Sequence, residues 1–145
     1  MKKSTGLLFA LCGTLLFVLL FITGRMLFIK LHTQSLEQIA GRSIQHELVL
    51  TENDTVLPTV TDENAVSSFI DLLAAYTYTE YPHFFKPDTE KLSANRLTVT
   101  FENGHSIGVD ADGYVFVSGK LRDIEDSRGQ ELYHKLYLLF HPNAC

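Results

Sequence analysis

The uncharged run from Gly6 to Gly24, GLLFALCGTLLFVLLFITG, constrains this chain more than any other stretch. It is 19 residues long, and roughly 17–25 predominantly apolar residues carry a helix across the hydrocarbon of a bilayer. Backbone amides find no water there, so a helix that bonds to itself is the form such a run takes. Residues 1–24 are therefore predicted to be a short cytoplasmic tail and a transmembrane anchor, with membrane contact through residues 6–24. Lys2 and Lys3 in front of the run resemble the start of a secretory signal. However, Ile22-Thr23-Gly24 sets a bulky residue where a cleavage site has a small one. Cys12 follows Leu11 and lies mid-run, so lipidation there would cut the span in two. The reading is an uncleaved anchor.

Basic flanks set orientation. Lys2, Lys3 and the terminal amine precede the span, and Arg25 and Lys30 follow it. The short leading tail favours a single-pass cell-membrane protein with its N-terminus inside and its C-terminal domain extracytoplasmic. Beyond residue 30 the chain carries 17 acidic and eight basic side chains, a formal charge of −9. Such a surface argues against nucleic acid and anionic lipid as partners, since both need a basic face. It also serves simply to keep a small domain soluble. Cys12 in the span and Cys145 at the end cannot meet, so no intramolecular disulfide is expected, and no motif calls for a cofactor.

The predicted fold is α+β: one transmembrane helix, a stalk over residues 25–41, and an exported domain over residues 42–145. That domain would hold an antiparallel meander of four or five strands with two packed helices. Residues 25–40 contain no helix breaker and read as a continuation of the anchor helix, ended by Gly41. Ile44 to Thr51 alternates and reads as a first strand, with Ile44, His46, Leu48 and Leu50 on one face. Thr55 to Thr59 is extended but contains Pro58, which places it at an edge or outside the sheet. A helix opens at Thr61 or Asp62, with Val66, Phe69, Ile70, Leu73 and Tyr76 on its apolar side. Ser127 and Gln130 are spaced as a capping box for a closing helix to Phe140, with Leu132, Leu136, Leu139 and Phe140 as its core stripe.

Candidate chemistry is sparse. The stretch Tyr76–Lys86, YTYTEYPHFFK, is unusually aromatic. Rings on loops bury much area at little entropic cost, so Tyr78, Tyr81, His83, Phe84 and Phe85 are the candidate binding residues. They equally suit the edge of a small core. Asp110 and Asp112, in Asp-Ala-Asp-Gly, are weak metal candidates, because the remaining oxygens of a calcium loop do not follow and Asp and Gly are what a hairpin turn needs anyway. His134, His141 and Cys145 have zinc-ligand chemistry but no zinc spacing. No serine elbow or phosphate-binding glycine loop is present.

With its Lys-rich start, single span and the run LTVTFENGHSIGVDADGYVFVSGK, the chain resembles small membrane-anchored exported domains of Gram-positive bacteria. The resemblance implies a location and brings no role or functional residue to this chain. The expected function is a binding or regulatory module that engages an envelope protein or a ligand. The alternatives are an anchored hydrolase or metal-dependent enzyme using His83, His105 or the Asp110/Asp112 pair, and an assembly partner acting through the span.

The meander register follows from arithmetic. A two-residue Asn103-Gly104 loop would divide the aliphatics of 97–109 between two faces, whereas a three-residue loop over 102–104 pairs Val99 with Ile107 and Leu97 with Val109. A loop over 111–113 continues the face with Val115 and Val117. The first loop requires a positive φ at Gly104, so Gly104→Val is expected to destabilise by about 1–2 kcal/mol; an unchanged melting temperature would refute this register.

Overall fold

An uninterrupted apolar segment has little choice of backbone. In the computed structural model, which describes residues 2–82, 92–124 and 128–143, helix α1 runs Lys2–His32. Its segment Phe9–His32 is long and apolar enough to cross a membrane, and none of it is buried in the protein. The hydroxyls of Thr14 and Thr23 donate to carbonyls one turn back, Ala10 and Leu11 for the first and Leu19 and Leu20 for the second. These two hydroxyls are thereby satisfied without water. The chain divides into two compact units, Met1–His32 and Thr33–Cys145.

The second unit begins with a two-residue strand β1, Thr33–Gln34, and a five-residue helix α2, Leu36–Ala40. The expected continuous stalk helix is therefore wrong. Thr33 and Gln34 pair with Thr79 and Tyr78, and Ser35 restarts a helix in which the Gln38 side chain accepts from the Ser35 amide at 2.9 Å. Gly41 does end the helix, at φ +86°. The elements that follow are β2 Val49–Glu52, β3 Thr55–Val56, α3 Glu63–Ala74, β4 Tyr78–Glu80, β5 Arg96–Thr100, β6 Ser106–Asp110, β7 Val115–Val117, β8 Lys120–Ile124 and α4 Gly129–Phe140. They form one eight-stranded antiparallel sheet in the order β1-β4-β8-β7-β6-β5-β2-β3. The α+β class and antiparallel meander stand, but four or five strands was too few. The three extra pairings involve β1, β3 and β4, of two or three residues each, too short for alternation to register.

The meander adopts the calculated register. Val99 faces Ile107, Leu97 faces Val109, and Ile107 and Val109 face Val117 and Val115. Gly104 and Gly113 both take positive φ, +81° and +88°. These six aliphatics join Leu48, Leu50, Tyr78 and Ile124 on one face. Leu132, Leu136 and Phe140 of α4 and Val66, Phe69 and Leu73 of α3 cover it. Phe69 and Phe140 meet edge to face, 5.8 Å between ring centres. Asp62 caps α3 by accepting from the Ala65 amide. On the reverse face Phe116 lies opposite Leu121 and under the Arg96 guanidinium, 4.2 Å from the ring centre. Phe116 thus gains a cation over its ring on the side away from the helices.

Two further expectations need correction. The strand placed at Ile44–Thr51 starts at Val49, preceded by an isolated bridge from Leu48 to Val60, and Ile44 is 79% exposed. The closing helix begins at Gly129 behind Arg128, while Ser127, its expected cap, lies outside the described residues. Glycine at that start is required sterically. A methyl group built on Gly129 would stand 1.7 Å from the Gly113 carbonyl oxygen, so the hairpin turn and the helix end touch backbone to backbone. Gly129→Ala is expected to cost about 2 kcal/mol or more by forcing them apart; a thermal or urea melt matching the native protein would refute the contact.

Candidate functional site

A broad concavity arises where the backbone leaves the sheet ladder. Residues 41–47 carry one buried polar side chain, Gln45. Its amide nitrogen donates to the Ala40 and Ser43 carbonyls, and its oxygen accepts from the Glu102 amide. Glu102 returns the bond: one carboxylate oxygen accepts from the amides of His46 and Glu47. Asn103, next in the same turn, donates to the Ile39 carbonyl at 2.8 Å. The β5–β6 turn therefore staples the 41–47 loop beside α2. The His46 and Glu47 amides, which a strand would have used in its ladder, are bound instead to a side chain 55–56 residues away.

Between this loop, α2 and α3 lies a groove of about 620 Å³. Leu36 and Ala40 from α2 and Val66, Ile70 and Ala74 from α3 line it, Ile44 stands on its loop wall, and Glu37, Arg42, His46 and Glu63 supply its polar edge. Concave, largely apolar sites of this size with a few polar groups are the usual form of a binding site. The alternation of residues 44–51 obscured it, because the same alternation suits a strand. The Ser35/Gln38 spacing followed by Gly41 was the available signal for a separate short helix.

The aromatic stretch is divided. Tyr78 is fully buried, and its hydroxyl donates to the Leu73 carbonyl at 2.9 Å; burial raises its pKa above the ordinary tyrosine value. It offers no surface to a ligand. Its neighbour Tyr76 is buried too, under the Arg128 guanidinium. Tyr81 is half-buried and lines a smaller polar cleft of about 310 Å³ with Asp112, Tyr114, Arg122, Asp123 and Gln130. Burial, with Asp123 alongside, pushes its pKa up to about 12. His83, Phe84 and Phe85 lie outside the described residues.

Asp110 and Asp112 do not converge on a ligand. Asp110 is fully buried; one oxygen accepts from the amides of Asp112 and Tyr114, the other from that of Ser93. Its carboxylate holds the turn together. Among the described residues no three acidic, histidine or cysteine side chains gather as a metal site would require. The remaining polar candidates are apart: His105 meets Ser118, His141 meets Glu52, and Glu102 is occupied by the loop amides. His134 is exposed, and Cys145 lies outside the described residues. In the smaller cleft, Arg122 is nine-tenths buried and bonded to Glu80 at 3.0 Å, while the adjoining start of α4 rests against Gly113.

No known protein family, curated protein or solved structure matches the chain.

The staple is pH-dependent in a definite sense. Bonds from the backbone amides of His46 and Glu47 hold the Glu102 carboxyl below its ordinary 4.5, and Arg128 with Lys135 holds that of Glu131 down to about 2. A depressed folded pKa gives stability that is present above the unfolded value and lost as pH falls through the folded one. Melting temperature is expected to fall on acidification below about pH 4.5, and Glu102→Gln is expected to flatten that decline and to speed hydrogen exchange at the His46 and Glu47 amides. Identical acid profiles and exchange rates in both proteins would refute the staple.

Proposed function

We propose that this is a single-pass membrane protein, N-terminus inside, whose extracytoplasmic α+β domain is a binding module that engages an envelope protein through the α2–α3 groove. The observation that carries this reading is the groove itself: an open apolar trough whose wall is fixed by polar bonds rather than filled by a core side chain. Ile44 supports it further. At 79% exposed it is the most exposed large apolar side chain beyond α1 among the described residues, and it extends the apolar lining of the groove; contiguous apolar exposure is what marks an interaction site. The unburied apolar α1 supports the anchor, since 24 residues of this kind are stable in lipid and not in water. The groove is preferred to Tyr76–Phe85 as the interaction surface because Tyr76 and Tyr78 are buried, Tyr81 is half-buried, and His83, Phe84 and Phe85 lie outside the described residues.

The test is photo-crosslinking in the native membrane. With a photoreactive residue at position 44 of the full chain, a discrete adduct is expected whose second component is one membrane or exported protein by mass spectrometry. The same residue at the exposed Val56, on the edge strand β3, is expected to give none. Absence of an adduct at 44, or equal adducts at both positions, would overturn the reading.

A further inference from the structure

Taking the groove to be the binding surface, we infer that its occupant is an amphipathic helix of a partner protein, apolar along one face and bordered by Lys or Arg. The inference rests on that functional reading and adds the shape and charge of the partner. Shape comes first. The α3 residues along the groove are Glu63, Val66, Ser67, Ile70 and Ala74, at helical spacings of three and four. From Glu63 to Ala74 they extend over about 16 Å at 1.5 Å per residue, the length of three turns of a second helix. Leu36 and Ala40 of α2 form the other bank, one turn apart. A trough between two helices is the surface into which a third helix packs its ridge, with anchors at i, i+3 or i+4, and i+7. The small, exposed Ala74 leaves room for a larger side chain from the incoming helix.

Charge decides which amphipathic helix. Glu37 and Glu63 border the groove, and neither forms an ion pair among the described residues. One cation, Arg42, stands among the lining residues against these two acids. Beyond residue 30 the chain carries 17 acidic and eight basic side chains, so the far field attracts a basic segment as the rim does. Ile44 on the loop wall supplies the apolar contact that a docked helix would cover.

The experiment uses the full chain in nanodiscs of zwitterionic lipid, with empty discs as the blank. The probes are two fluorescent 12-residue helices with leucine on one face, one carrying lysine and the other glutamate on its flanks. The lysine helix is expected to bind saturably. Ile44→Asp, at a position too exposed to unfold the domain, should weaken it about tenfold, and Glu37→Gln with Glu63→Gln about three- to tenfold. Equal binding of the glutamate helix, still weakened by Ile44→Asp, would overturn the basic partner and leave the groove reading standing. Binding of the lysine helix that Ile44→Asp leaves unchanged would overturn the groove as its site. Failure of both helices to bind would overturn a helical occupant, leaving the position-44 crosslink to decide the functional reading independently.

Discussion

The fold depends on the register of three strands. A meander in which Leu97, Val99, Ile107, Val109, Val115 and Val117 all emerge on one side creates an apolar surface broad enough to hold two helices. A slip of one residue would send each strand's set to the opposite face. Full burial of a Val, Ile or Leu side chain is worth about 1.5–3 kcal/mol, so this face outweighs the domain's ion pairs. Exposed pairs such as Arg128–Glu131 and Lys135–Glu131 contribute roughly 0–1 kcal/mol each. The glycines at 104 and 113 set the register by accepting the left-handed turn conformation, and Asp110 secures the second turn from within. A buried carboxylate is costly unless bonded, and here three backbone amides satisfy it.

Around that sheet, long-range polar bonds do what regular structure does elsewhere. The 41–47 loop is neither helix nor strand, yet its exposed amides are bound by the β5–β6 turn through Glu102, and the buried Gln45 answers from the loop side. The arrangement fixes a loop at one wall of an apolar trough without filling the trough. A strand in the same place would have buried Ile44 and closed the surface. Binding surfaces are commonly carried on irregular segments positioned by a rigid scaffold, and this loop fits that division of labour.

The aromatic stretch illustrates how one composition serves several ends. Tyr78 fills the core and closes a carbonyl at the end of α3. Tyr76 packs under Arg128, and Tyr81 borders a polar cleft with Asp123. Aromatic density on a sequence marks large buried area, but whether that area is buried within the chain or against a partner depends on which strand face each ring meets. With Tyr78 opposite Ile124 in β8, its face is the core face.

The sequence by itself determined the long apolar helix, the antiparallel α+β class, the two hairpin loops with their positive-φ glycines and a capped start of α3 at Thr61 or Asp62. Each is written in local chemistry: apolar length, alternation of period two, turn residues and caps. The tertiary structure decided the eight-strand count, the break after His32, the exposure of Ile44 and the groove. These rest on pairings of two or three residues and on hydrogen bonds between side chains and backbone far apart in the chain. Such contacts repeat with no period and use residues that serve equally well on any surface. Their meaning emerges once the sheet has brought Glu102 beside His46 and Gly113 against Gly129.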